Sequence, residues 1–202
     1  MLEIEEVKYN LTIKIDLDDV ASYLGKIFTN LTQCEGYVIN RWSNSDQALT
    51  IAKLCLPEPF NSVEDTYRNY RIYAGENDPN FTVFESREHQ FISDASQISN
   101  GSTRSRFERW KMKELLILPI SDHTHCSGTA MLFSCSTSLN LSCLDYLLEL
   151  TALFTPPLKS SSSLRDIRSH NLHLNSLMST NDQFNDYLSN LSSYASHQST
   201  CH

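Results

Sequence analysis

Glu114-Leu-Leu-Ile-Leu-Pro-Ile120, Ser121-Asp-His-Thr-His-Cys-Ser127 and Gly128-Thr-Ala-Met-Leu-Phe-Ser-Cys135 run in direct succession. The first block is a continuous apolar run, which reads as a central strand. The second is a polar turn and the third another apolar run, so the three together predict a hairpin at the centre of a sheet. Just beyond it, Ser142 and Asp145 stand at capping-box spacing ahead of Leu144, Leu147, Leu148, Leu150 and Leu153, which recur at helical intervals. Pro156-Pro157 is expected to end that helix.

Toward the N-terminus, Leu17, Val20, Leu24, Ile27, Phe28 and Leu31 form one helical stripe, and Asp16, Asp18 and Asp19 favour its start. Tyr37, Ile39 and Trp42 mark a strand, Ser43-Asn-Ser-Asp46 a turn, and Ala48 to Leu56 a second strand. Pro57 and Pro59 close it, and Asn61 with Glu64 has N-cap spacing for a short helix through Tyr70. Gly75 to Asn80 reads as a turn, Phe81 to Phe84 and Gln90 to Ile92 as short strands, and Ser93 to Ser105 as a long polar loop. The order predicts an α+β fold: an antiparallel sheet with flanking helices on one side.

The 202 residues carry 16 Lys and Arg against 24 Asp and Glu, a net charge of -8. That balance opposes a general binder of nucleic acid or anionic membrane, since both would repel it. From residue 158 onward the charges cancel, and this segment holds 12 Ser and five Asn, so the chain reads as a domain at 1–157 followed by a different segment at 158–202. The opening Met1-Leu-Glu-Ile-Glu-Glu6 has acids where an export signal needs bases, and no apolar run approaches bilayer length. A cytoplasmic protein is therefore expected. The six cysteines, at 34, 55, 126, 135, 143 and 201, show no CxxC spacing and read as reduced thiols.

Leu115 to Ile120, the short polar turn, Gly128 to Phe133 and the helix after it together resemble the GAF domain family over residues 15 to 157. A PAS-like sheet is the structural alternative. The GAF resemblance implies a sensory or regulatory module of a bacterial signalling protein. It would bind a small molecule between its sheet and a covering segment, here residues 57 to 113. The Asn-Lys-Phe-Asp-Glu signature of cyclic-nucleotide-binding members is absent, because Asn100 is followed by Gly101 and Phe107 lacks the acidic pair.

Arg104, Arg106, Arg109, Lys111 and Lys113 form a basic island interleaved with Phe107 and Trp110. On a helix, Arg106, Arg109 and Lys113 share a face while the two aromatics turn toward the core. One reading is a solvated basic face, and the other is a grip on a planar or anionic ligand. Expected pocket residues are Trp42, Thr50, Phe91, Arg106, Arg109, Trp110, Leu118, Met131 and Phe133, each also compatible with ordinary core. The sequence names no cofactor. His123, His125 and Cys126 are metal-ligand types, but they lie in one turn with no second cluster at ligand spacing. They read as turn residues, with a thiol- or metal-responsive sensor as a third reading. With no nucleophile elbow, P-loop or Gly-rich dinucleotide turn, no catalytic residue is assigned and a non-enzymatic role is expected.

In the final segment, Ile167, Leu174, Asn181, Leu188 and Ala195 fall seven apart, as do His170, Leu177, Phe184 and Leu191. This is a heptad pattern, with Asn181 as the polar core residue that fixes register in a parallel dimer. A single amphipathic helix folded back on the domain is the alternative. The expected partners are a second copy through Ile167, Leu174, Leu177, Asn181, Phe184, Leu188 and Leu191, and a downstream effector: cyclic-di-nucleotide turnover, a kinase or a cyclase. A ligand-free interaction module is the second functional reading.

Overall fold

A computed structural model of the protein describes residues 17–99, 101–122 and 124–159. All of them lie in the first of two units into which the chain divides, Met1–Ser163 and Leu164–His202. The heptad segment and its Asn181 are outside the described residues.

Helix α1, Leu17–Thr32, carries Asp18 and Asp19 in its first turn and buries Val20, Ala21, Leu24, Ile27 and Phe28 along one stripe. Gln33, at φ 59°, takes the left-handed conformation that stops it. Strands β1, Gly36–Ser43, and β2, Ala48–Cys55, follow as a hairpin. A bulge between Ile39 and Asn40 leaves Ala52 as the extra residue. With β3 (Arg71–Tyr73), β4 (Gln90–Ile92), β5 (Glu114–Ser121) and β6 (Cys126–Ser134), they form one six-stranded sheet in the order β3-β2-β1-β6-β5-β4. Every neighbouring pair is antiparallel. The β5–β6 hairpin expected from the sequence is thus two of the four inner strands.

Helices cover both faces, not one. Tyr37, Ile39, Leu116, Leu118, Ile120, Ala130 and Leu132 pack with α1 and with α5, the helix at residues 144–159. On the opposite face Val38, Leu115, Ile117, Met131 and Phe133 lie under Val83, Ile98, Phe107 and Trp110. The cover is built of short elements: α3 (Pro79–Ser86) gives Val83, α4 (Gly101–Arg109) gives Phe107 and is flanked by Ile98 and Trp110, and Tyr67 of α2 (Glu64–Tyr67) packs against the same cluster.

Several elements depart from the sequence expectation. Phe81 to Phe84 is helical, because Asp78 caps α3 by accepting from the Asn80 backbone N–H and Pro79 occupies the first turn. Asn61 caps no α-helix. The segment begins as a 3₁₀ turn at Phe60–Val63 and its helix ends at Tyr67, while Glu64 turns back to accept from the Leu56 N–H at 2.8 Å. Ser93 to Ser105 is not a continuous loop. Asp94 and Gln97 close a capping box on a 3₁₀ turn, and α4 starts at Gly101. The last helix runs past Pro156-Pro157 to residue 159, although each proline forfeits a helical N–H. Leu158 beyond them is fully buried with Phe154 and Leu150, and that packing offsets the lost bonds.

Candidate functional site

Asn40 interrupts the apolar run of β1 and faces the cover between Val38 and Trp42. Its Cα partner across the sheet is Thr129 of β6. At the adjoining pair only glycine fits, since a Cβ on Gly128 would lie 2.0 Å from the Asn40 carbonyl oxygen. The Asn40 amide Nδ2 donates to Thr129 Oγ1 at 3.1 Å and to Asn80 Oδ1 at 3.3 Å. Asn80 sits in the first turn of α3, and its Nδ2 donates in turn to Asp78 Oδ1 at 3.1 Å. The other carboxylate oxygen of Asp78 accepts from the Thr103 hydroxyl and from Arg106 Nη2, the latter at 3.5 Å. Arg106 Nη2 also donates to Thr103 Oγ1 at 2.8 Å, and its guanidinium lies 4.3 Å from the Tyr70 ring centroid.

The result is one continuous polar chain from the middle of the sheet to α4, buried along its length: Asp78 and Thr129 are 0% exposed and Arg106 is 9%. A buried carboxylate needs compensation, and Asp78 receives it from the α3 N-terminus, from hydroxyl and amide donors, and from the guanidinium. Beside the chain stands an aromatic wall. Trp110 is stacked on Phe133 with centroids 5.8 Å apart and meets Tyr67 edge-on at 4.9 Å, while Arg109 Nη1 donates to the Tyr67 hydroxyl at 3.2 Å.

Of the expected pocket residues, Arg106, Trp110, Met131 and Phe133 are on the cover side of the sheet, with Arg109 at its rim. Trp42 is on the same side, stacked on Phe84 at 4.8 Å. The other three lie elsewhere. Leu118 belongs to the core under α1 and α5; Thr50, paired with Arg41, faces that same side; Phe91 is 39% exposed on edge strand β4. Arg106 is buried, so the solvated-face reading does not hold for it, and Lys113 lies beyond α4, where its N–H joins the sheet by donating to the Ser134 carbonyl. Asn40, Asp78, Asn80, Thr103 and Thr129 were not anticipated. Their sequence signals were an Asp-Pro helix start and lone polar residues inside apolar strands.

Burial pushes the Cys126 thiol up to about 11 and also raises Cys34, Cys55 and Cys135. His125 Nδ1 lies 2.6 Å from the Thr124 hydroxyl, and His123 is outside the described residues. Among the described residues no three His, Cys, Asp or Glu side chains gather as a metal site. A surface groove of about 470 Å³, lined by Arg87, Ser121, Asp122, Leu148, Glu149 and Ala152, contains no member of the polar chain.

No family model and no curated protein matches the chain. Solved structures do. The GAF domain/HD domain protein from Geobacter sulfurreducens matches 78% of this chain and 98% of its own, at TM-score 0.61 and 15% identity. The fold is that of a GAF domain. The GAF domain of a two-component sensor histidine kinase from Bacillus halodurans is similar over 73% of this chain and 96% of its own, at TM-score 0.59 and 17% identity. A third match is free methionine-R-sulfoxide reductase from Neisseria meningitidis in complex with its substrate. It covers 79% of this chain and 88% of its own, at TM-score 0.58 and 12% identity. Among the described residues, no helix is long and apolar enough to cross a membrane.

Proposed function

We propose that this chain is the sensing half of a signalling protein. Residues 1–157 bind a small molecule between the sheet and the cover at 57–113, and residues 158–202 carry the bound state to an effector. The observation that carries this reading is the buried polar chain from Asn40 to Arg106, placed where a GAF-like fold has its cover rather than in its structural core. Support also comes from the company of similar structures, which includes a GAF domain from a sensor kinase. The ligand site comprises Trp42, Arg106, Arg109, Trp110, Met131 and Phe133. The transmission segment dimerises through Ile167, Leu174, Leu177, Asn181, Phe184, Leu188 and Leu191. The effector acts in cyclic-di-nucleotide turnover, phosphotransfer or nucleotide cyclisation.

The role is non-catalytic. One structural neighbour is a reductase, but the raised thiols of Cys34, Cys55, Cys126 and Cys135 oppose thiolate chemistry at those four positions. A thermal-shift screen of the full chain against metabolites tests the sensing reading: stabilisation that is lost in Arg106→Gln supports it. Intact dimerisation with no stabilisation by any compound supports an interaction module instead. For the transmission segment, Asn181→Leu strengthens association while loosening the choice of oligomer, read by analytical ultracentrifugation; a monomer before and after rejects the dimer.

A further inference from the structure

Two buried donors stand at the α4 end of the polar chain, whose charge is already balanced. Arg106 Nε and Trp110 Nε1 are both buried N–H groups with no hydrogen-bond partner among the described residues. They belong to residues four apart, and the Trp110 backbone N–H donates to the Arg106 carbonyl at 2.9 Å, so helical spacing holds through this pair. At that spacing the two Cβ atoms stand about 6 Å apart on one side of α4, within reach of a single small molecule. Buried donors left unpaired carry a free-energy cost, and a ligand that accepts from them removes it.

Charge decides which acceptor. The guanidinium of Arg106 is compensated by Asp78, whose carboxylate is completely buried. A ligand carboxylate or phosphate brings a second negative charge into this site and leaves one of the two anions without a counter-ion. Arg109, the next base along, is exposed and turned to the Tyr67 hydroxyl. A neutral carbonyl oxygen accepts from the same N–H groups with no such cost. The rings of Tyr67, Trp110 and Phe133 provide an apolar wall for the rest of the molecule.

We propose that the site takes a small uncharged molecule bearing a carbonyl-type acceptor and refuses the corresponding acid. This rests on the sensing reading and narrows its ligand class. The test uses the full chain at pH 7 with matched probes at millimolar concentration, nicotinamide against nicotinate and benzamide against benzoate, followed by thermal shift and titration calorimetry. The amides raise the melting temperature and the acids do not. Trp110→Phe keeps the ring but deletes one donor, and weakens amide binding up to about tenfold. Asp78→Asn removes the resident negative charge and inverts the preference toward the acids; if that variant does not fold, the Trp110→Phe comparison still decides the donor claim. Acids binding the wild type as well as the amides do overturns the charge argument and leaves the sensing reading standing. So does stabilisation only by charged metabolites in the wider screen. No stabilisation by any compound overturns both.

Discussion

The two faces of the sheet are built from the same strands and hold different chemistry. Under α1 and α5 lies one large apolar cluster, with Leu24, Phe28, Leu118, Leu132, Leu147 and Phe154 all at 0% exposure. Under the cover, the apolar cluster of Val38, Ile117, Met131 and Phe133 adjoins a line of buried hydrogen bonds from Asn40 to Arg106. Apolar packing tolerates substitution of shape more readily than a polar chain tolerates loss of one member, since each buried polar group left unpaired costs its desolvation. The first face specifies the fold; the second constrains which chemistry is stable inside it.

The comparison is broken most severely on the apolar side. Phe154→Ala and Phe28→Ala are each expected to cost about 3–5 kcal/mol in urea denaturation, as deletions of fully buried aromatic rings. Loss similar to that of a surface substitution would show that this face is not the core. Next is Asp78→Ala, which orphans the buried Arg106 and is expected to cost about 3 kcal/mol. The double variant Asp78→Ala with Arg106→Met removes the stranded charge and recovers part of that loss. An additive double-mutant cycle would show that the two groups do not act as a pair. Thr129→Val deletes one hydroxyl from the chain and is expected to cost about 1 kcal/mol, with the sheet intact by circular dichroism.

The smallest effect is outside both faces. Burial alone would raise Glu35, but the Ser136 hydroxyl and the backbone N–H groups of Ser136 and Thr137 outweigh it and hold this carboxyl at about 2, below its ordinary 4.5. Its folded value is depressed. Its contribution to stability is therefore complete above pH 4.5 and is lost as pH falls toward 2. Glu35→Gln should flatten the acid limb of the stability curve in that window; an unchanged limb would reject the role.

Where the pattern was long and periodic, the sequence was readable. The stripe of α1 and the apolar runs of β5 and β6 leave little choice of element, because a strand or helix of that length has one way to bury them. The cover was harder. Phe81-Thr-Val-Phe84 alternates like a strand, and only the Asp78-Pro79 start shows that it is a helix. Gly101-Ser-Thr-Arg-Ser-Arg106 contains poor helix formers, and the buried faces of Thr103, Phe107 and Trp110 at intervals of four and three are the surviving signal. The aromatic and basic part of the candidate site was legible because bulky and charged residues stand out. Asn40 and Thr129 were not, since one polar residue in a strand has the same appearance whether it meets water or a buried partner.

The helices of the cover are four, eight and nine residues long, too short to hold their shape by helical hydrogen bonds alone. Their order is borrowed from the side chains that tie them to the sheet. Amide protons in α3 and α4 should therefore exchange with solvent through local openings, well before those of β1 and β6, whose release requires the whole domain to come apart. Anything that completes the hydrogen bonding beneath the cover slows the first set and leaves the second nearly unchanged, so exchange rates record occupancy without a chromophore or a partner.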